Sequence, residues 1–234
     1  MSTARPVYRA RIERVFDHTP DTRSLFIRGA EGFRFVPGQF ISISIPLPNE
    51  TRVRPYTIAS SPEDGQPMEI CFNEVAGGEG VRWLFERRVG DELAFTGPFG
   101  AFTMEHLPSV ETVFIAAATA IAPIRPMIRL ALGDRSHPPL SLVYAADSTG
   151  HLLYRDEFER RARDDARFSF ATMLAPAADL DARLHDEVER RWVKADPDRS
   201  RHFYICGVGK GILRLRDLLR AAGYERRAVR YEMW

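Results

Sequence analysis

VETVFIAAATAIAPI, Val110 to Ile124, is the stretch at which the hydrophobic period of this chain changes. VETVFIAAA is a near-continuous apolar run, the pattern of a strand buried on both faces. Ala122 to Ala131 then reads as a helix, with Pro123 in its first turn, where a missing N–H costs nothing. Downstream the alternation continues. LSLVYAA is a second apolar run, Arg155 to Asp164 a charged helix, and FSFATML a third strand. A helix from about Asp181 to Val193, HFYICGV, a helix from about Lys210 to Ala222 and AVRYEMW complete it. Apolar strands alternating with helices predict a doubly wound parallel sheet covered on both faces.

Upstream of Gly100 the rhythm is different. VYRARIERV, SLFIRG, QFISISIP, VRPYTIAS and MEICFNE alternate or carry β-branched and aromatic residues, and Asp, Pro and Gly clusters separate them. Closely spaced antiparallel strands of this kind predict a small β-barrel. A short helix is expected over Val81 to Arg88, stopped by Gly90, then a strand at Leu93 to Thr96 and a Gly/Pro turn at Gly97 to Phe102. The boundary falls near Leu107 to Glu111, which divides the chain into 1–108, the barrel, and 109–234, the α/β domain. There is no internal repeat and no low-complexity tract.

Composition narrows the function classes. With 33 basic against 32 acidic residues the net charge is +1, so no global field attracts nucleic acid or an anionic membrane. The apolar run around Val113 to Ile124 is too short and too Pro-interrupted to span a bilayer, and MSTARPVYRA has no apolar signal core. A cytoplasmic protein without membrane insertion is expected. Two distant cysteines, Cys71 and Cys206, build neither a disulfide framework nor a four-cysteine metal site, so any iron-sulfur centre belongs to a partner. The six histidines lack His-x-x-x-His spacing, and no metal site is expected.

RPYTIASSP, Arg54 to Pro62, is the first stretch with ligand chemistry. An Arg, an aromatic and a hydroxyl at a strand end serve phosphate charge, ring face and ring-edge nitrogen of one ligand, with Arg54 and Tyr56 on one strand face and Pro55 and Thr57 on the other. The same nine residues also read as an ordinary strand ending in a Ser-Ser-Pro turn. VAGGEGVRWL, Val75 to Leu84, leads a glycine pair into a helix start, a favourable place for a phosphate or simply a flexible turn.

These segments occur in an order that resembles the ferredoxin-NADP reductase superfamily, from about Val7 to Trp234. RPYT is similar to its Arg-x-Tyr-(Ser/Thr) flavin signature, which implies Arg54 on the diphosphate, Tyr56 against the isoalloxazine, Thr57 at N5 and Pro55 beside them. Ile70 and Phe72 of MEICFNE are likewise implied as cofactor neighbours. Gly78, Gly80, Val81 and Arg82 match the family's Gly-Gly-x-x-Ser diphosphate segment, with Val81 where the Ser is expected.

FIAAATAIAPI resembles the pyridine-nucleotide turn, keeping Thr119 and Pro123 but carrying Ala118 and Ala120 where glycines are usual. Asp147, at the end of LVYAA, stands where NADPH-using relatives tend to place Arg, which implies NADH as the preferred donor with NADPH possible. Cys206 and Gly207 match a Cys-Gly motif, and Val208 replaces a usual Pro. Glu232 matches an acidic residue near the hydride-transfer centre, and Trp234 a C-terminal aromatic of some relatives. Thr57, Cys206 and Glu232 are thus the catalytic candidates.

The implied protein is a flavin-dependent NAD(P)H oxidoreductase without a fused iron-sulfur or haem domain. FAD is favoured over FMN because the glycine-rich helix start offers a second phosphate site. Its acceptor would be an iron-sulfur or haem protein, or a ferric or other small-molecule acceptor. Two other classes remain compatible with the sequence. One is a flavin-binding relay or regulatory subunit without pyridine-nucleotide turnover. The other is a two-domain binding protein without flavin.

Overall fold

The computed structural model describes residues 6–63, 66–74 and 78–234. Val75, Ala76 and Gly77 of the glycine-rich segment therefore lie outside the described residues.

The first half forms one six-stranded antiparallel sheet from β1 (Tyr8–Thr19), β2 (Thr22–Arg28), β3 (Phe40–Pro46), β4 (Thr51–Thr57), β5 (Met68–Asn73) and β6 (Glu92–Phe99). The strand order is β4-β3-β6-β1-β2-β5. An Ile58–Ile70 bridge and the Ala59 N–H on the Glu69 carbonyl at 2.8 Å draw the two ends together, curling the sheet into a barrel. FISISIP shows why it folds inward: Ile41, Ile43 and Ile45 are fully buried while Ser42 and Ser44 between them are not. Each such isoleucine contributes about 1.5–3 kcal/mol, so a charge at Ile43 would break the barrel.

Two local expectations change. The helix α1 spans Glu79–Phe85, beginning at the glycines themselves. It ends earlier because Gly90, at φ 95°, turns the chain back so that its N–H reaches the Ile12 carbonyl. GPF is strand rather than turn: β6 continues past a bulge to pair Phe99 with Phe40.

The second half is a five-stranded parallel sheet of β7 (Thr112–Ala117), β8 (Leu140–Ala146), β9 (Phe168–Leu174), β10 (His202–Gly207) and β11 (Val229–Met233), in the order β11-β10-β7-β8-β9. The order reverses between β7 and β10, the switch point outside whose carboxyl ends open α/β sheets bind ligands. Four helices connect the strands: α2 (Ile121–Ala131), α3 (Arg155–Asp164), α4 (Ala177–Glu189) and α5 (Gly211–Ala221). Helix α4 starts earlier than the sequence predicts because Pro176 opens it, and it ends in a wider π turn over Arg190–Lys194.

Alternation along β7 divides the core. Val113 and Ile115 pack with Leu184, Val188, Ile212 and Leu215 of α4 and α5, whereas Phe114 and Ala116 pack with Ile124, Met127 and Phe158 of α2 and α3. The α2/α3 cluster also takes in Ala59, Cys71, Phe102 and Met104 from the barrel side. One apolar core thus crosses the junction of the two halves. No described helix is long and apolar enough to cross a membrane.

Candidate active site

Between the open edge of β4 and the end of β11 lies a cavity of about 670 Å³. Its barrel wall is Arg54, Pro55, Tyr56 and Thr57 with Phe72 of β5, its roof is Gly78, Gly80 and Val81 at the start of α1, and its far side is Thr119, Glu232 and Trp234. Residues as far apart in sequence as Phe40 and Trp234 meet here. Residues of both β4 parities line it because β4 pairs only with β3, so the cavity runs along a strand edge rather than over one face. The same edge tolerates Pro55, which has no N–H to give a ladder.

Each side chain has a distinct environment. Arg54 is exposed, donates to the neighbouring Val53 carbonyl at 3.0 Å and enters no ion pair with another described residue. Tyr56 stands edge-on to Phe72, with centroids 5.6 Å apart, and burial pushes its phenol up to about 12, so it stays neutral. Thr57 is buried. Gly80 is tightly placed: a Cβ there would stand 3.1 Å from Ile45 Cδ1, which would have to give slightly, and 3.8 Å from Arg54 Cγ, in ordinary contact. The Glu232 carboxyl is raised by burial, against a lowering hydrogen bond from Trp234, and its Oε2 is a buried oxygen with no partner. The tail is ordered, the Trp234 N–H meeting the Gly207 carbonyl at 3.1 Å and the Gly209 N–H meeting the Trp234 carbonyl at 3.2 Å.

A second hollow of about 460 Å³ adjoins the first along the carboxyl rim of the parallel sheet, and Asn73 and Thr119 line both. The Thr119 hydroxyl donates to Asn73 Oδ1 at 3.3 Å, linking the barrel to the α/β half at the shared boundary. Asp147 lies in this second hollow. His151 Nδ1 is 2.6 Å from Asp147 Oδ1, and its Nε2 is 3.2 Å from Asp21 Oδ1 of the barrel. The Asp147 hydrogen bond is the main reason the His151 pKa is raised, and the Asp147 carboxyl is lowered in return.

Several residues singled out by sequence do not reach the first cavity. Ile70 is fully buried in the barrel core, on the same strand face as Phe72 but one step further from the cavity. The Arg82 N–H is spent on the Gly78 carbonyl at 3.1 Å. Ala120 sits at φ −67° with its side chain in the α2/α3 core, so its methyl walls neither hollow. Cys206 pairs in register with Glu232 but its thiol is fully buried, and burial, then the Glu232 charge, hold it well above its ordinary value as a thiol. Gly207 packs on Ile212, whose Cδ1 would lie 2.5 Å from a Cβ there.

Sequence reasoning did not single out Arg52, Asn73 or Cys71, all of which line the cavity. Arg52, two residues from Arg54 on one strand, carried a signal in its spacing. It pairs with Glu79 at 2.7 Å and also with Glu50. The Cys71 thiol, buried, is pushed up to about 11.

Behind the cavity a buried ionic cluster ties the halves together. Arg125 of α2 donates to Glu69 of β5 at 2.6 Å, to Glu157 of α3 at 2.9 Å and to the Ala59 carbonyl at 3.0 Å. Its guanidinium lies 3.9 Å over the Tyr154 ring. Glu69 also accepts from Ser24 and Tyr154, each at 2.7 Å. Among the described residues no group of His, Cys, Asp and Glu could hold a metal.

The fit to a flavin rests on three of these observations: a guanidinium without an ion pair among the described residues, a tightly placed glycine beside it, and a lining glutamate whose carboxyl is raised and has one buried oxygen without a partner. Comparison with known proteins agrees. The family model described as oxidoreductase FAD-binding domain matches residues 16–104, and that described as oxidoreductase NAD-binding domain matches residues 114–214. The chain is therefore an oxidoreductase with an FAD-binding barrel and an NAD-binding α/β domain.

It is 29% identical to ferredoxin–NADP reductase B of Sorangium cellulosum, over 97% of both chains. It is 28% identical to the reductase component of propane 2-monooxygenase of Rhodococcus jostii, over 96% of this chain and 62% of that one. The glycine betaine monooxygenase reductase subunit of Pseudomonas aeruginosa is 29% identical over 92% of this chain, which spans 61% of it. In fold it matches a Neisseria gonorrhoeae ferredoxin NADP+ reductase crystallised with FAD and NADP, at TM-score 0.82 and 18% identity over 97% and 98% of the two chains. An Amycolatopsis cytochrome P450 reductase matches at TM-score 0.81 and 23% identity, covering 98% and 71%. The chain belongs to the ferredoxin-NADP reductase superfamily.

Proposed function

We propose that this protein takes a hydride from NADH, in preference to NADPH, into FAD held along the β4 edge, and delivers the electrons to an iron-sulfur protein on a separate chain. The observation that carries this reading is the adjacency of the two hollows. One is walled by the barrel edge and the C-terminal tail, the other by the rim of the parallel sheet, and they share Asn73 and Thr119.

FAD, when bound, supplies a centre that accepts a hydride and releases electrons singly. The chain's own residues bind and orient. Arg54 offers the diphosphate a guanidinium that has no ion pair among the described residues, and charge-assisted bonds of this kind are about twice as strong as neutral ones. Tyr56 and Phe72 present a neutral aromatic wall, and the buried Thr57 hydroxyl is the donor assigned to the ring edge. Glu232, with its raised carboxyl and partnerless Oε2, can hold a proton beside the reacting rings. Trp234, a lining residue, is assigned to shield the rings from water, and Thr119 to orient the nicotinamide end.

NADH preference follows from charge. Asp21, Asp147 and Asp181 line the second hollow, and His151 is the one basic side chain among its lining residues. A 2′-phosphate would meet net negative charge there, whereas a ribose diol donates to carboxylates. The acceptor assignment draws on the reductase components among the relatives, and on two cysteines too few for a cluster in this chain. Both cysteines are free and buried, which fits a cytoplasmic location.

Anaerobic titration of the purified protein with NADH tests the reading. The flavin absorbance band should bleach on addition. A colourless protein that takes up no added FAD, or a band unchanged at high NADH, would overturn it.

A further inference from the structure

Ala118 and Tyr154 are the two described residues other than glycine with left-handed backbone, at φ 47° and 57°. Such a conformation crowds a Cβ against the following carbonyl, so it persists only where surrounding contacts impose it. For Ala118 the contact is identifiable. Its carbonyl accepts the Tyr144 hydroxyl at 2.8 Å. Tyr144 is fully buried under the sheet rim, and burial keeps the phenol protonated far above its ordinary titration range. The same oxygen stands 3.1 Å from the His151 carbonyl and accepts the Leu153 N–H at 3.0 Å. A phenol has one proton to give, and the shorter of its two carbonyl contacts is to Ala118.

The consequence lies in what the three partners do. Ala118 and Thr119 wall one side of the second hollow, and His151 and Leu153 wall the other. These two segments belong to different β-strand ends and share this hydroxyl. We propose that Tyr144 is a positioning residue for the pyridine nucleotide: its buried hydroxyl fixes the Ala118 turn in the conformation that a glycine would take freely, and sets that turn against the 149–153 turn across the hollow. This rests on the reading that the adenosine half of the nucleotide occupies that hollow. It also explains how alanine serves where glycine is usual, since the energy of the left-handed turn is supplied from below rather than by backbone freedom.

The test measures ADP-ribose affinity by calorimetry on the full FAD-loaded chain. Tyr144→Phe should bind about tenfold more weakly, the loss expected for one buried hydrogen bond, while keeping its FAD content. Adding Ala118→Gly to that variant should recover binding to within about threefold of the parent, because glycine adopts the turn unaided. A merely structural loss of packing or of the Leu153 partner would not respond to glycine at 118. Should Tyr144→Phe alone be too unstable to purify, the change is made in an Ala118→Gly background, where it should cost less than about threefold.

Tyr144→Phe binding within twofold of the parent would overturn the inference. So would a double variant no better than the single one, or a tenfold loss persisting in the glycine background. A parent that binds no ADP-ribose would overturn the placement of the nucleotide, and this inference with it.

Discussion

Replacing Arg125 by Met should loosen the junction between barrel and α/β half more than any other single side-chain change. Arg125 is 8% exposed, and its guanidinium is shared between Glu69, itself 2% exposed, and Glu157. Methionine fills much of the volume but leaves two buried carboxylates short of a cation. Glu157 keeps Arg129, at 2.6 Å, and Arg161, at 3.3 Å. Among the described residues Glu69 keeps two hydroxyl donors, Ser24 and Tyr154. Burial by itself would raise the Glu157 carboxyl, yet Arg129 and Arg125 outweigh it and bring it down to about 2 from 4.5. That shift is worth about 3 kcal/mol, shared between the two arginines.

Removing one partner of a buried pair costs about 3–5 kcal/mol. For a chain of this size the thermal midpoint should fall by about 6–20 °C. Because the Glu157 pKa is depressed on folding, its contribution is complete above pH 4.5 and is lost as pH falls towards 2. The gap between parent and variant should therefore narrow in acid. Urea and thermal unfolding, followed by circular dichroism, read both effects. Adding Glu69→Gln should restore more than half the loss, since the amide removes the stranded charge and still accepts from Ser24 and Tyr154. A variant within about 1 kcal/mol of the parent, or a double variant as unstable as the sum of the singles, would refute this account.

Arg54→Ala should copurify with much less FAD, its affinity reduced about 10- to 100-fold by loss of a charge-assisted partner; equal flavin-to-protein absorbance ratios would remove Arg54 from the diphosphate. Asp147→Arg should shift the ratio of kcat/KM values from NADH towards NADPH, and an unchanged ratio would take Asp147 off the ribose. His151 bridges Asp147 and Asp21 with a raised pKa, so its contribution to holding the two halves together is complete below about pH 6.5 and is lost as pH rises through the folded value. Melting curves should accordingly show the stability advantage of the parent over His151→Gln shrinking between mildly acid and alkaline pH, and a constant advantage would show that the imidazolium is not the link.

Much of the fold was legible in the linear chain, for a local reason. Leu140–Ala146 and Phe168–Leu174 emerge as strands with the bounds that their apolar runs announce, and Arg155–Asp164 as the helix that its charges announce. Periodicity is a property of neighbours along the chain, and in these elements tertiary packing agrees with it. The order of the motifs likewise pointed to the cavity between Arg54–Thr57 and Glu232–Trp234. What the chain alone could not show are contacts that exist only after two halves dock. Arg125 sits in a helix whose sequence gives no sign of a buried ion pair, since its partners are 56 positions upstream and 32 downstream. Ala118 occupies a turn that glycine adopts freely, and only the fold brings the Tyr144 hydroxyl, 26 residues away, onto its carbonyl. Hydrophobic spacing is read within one turn or strand; hydrogen-bond complementarity depends on which distant surfaces meet, and that is decided by the packed core shared between barrel and sheet.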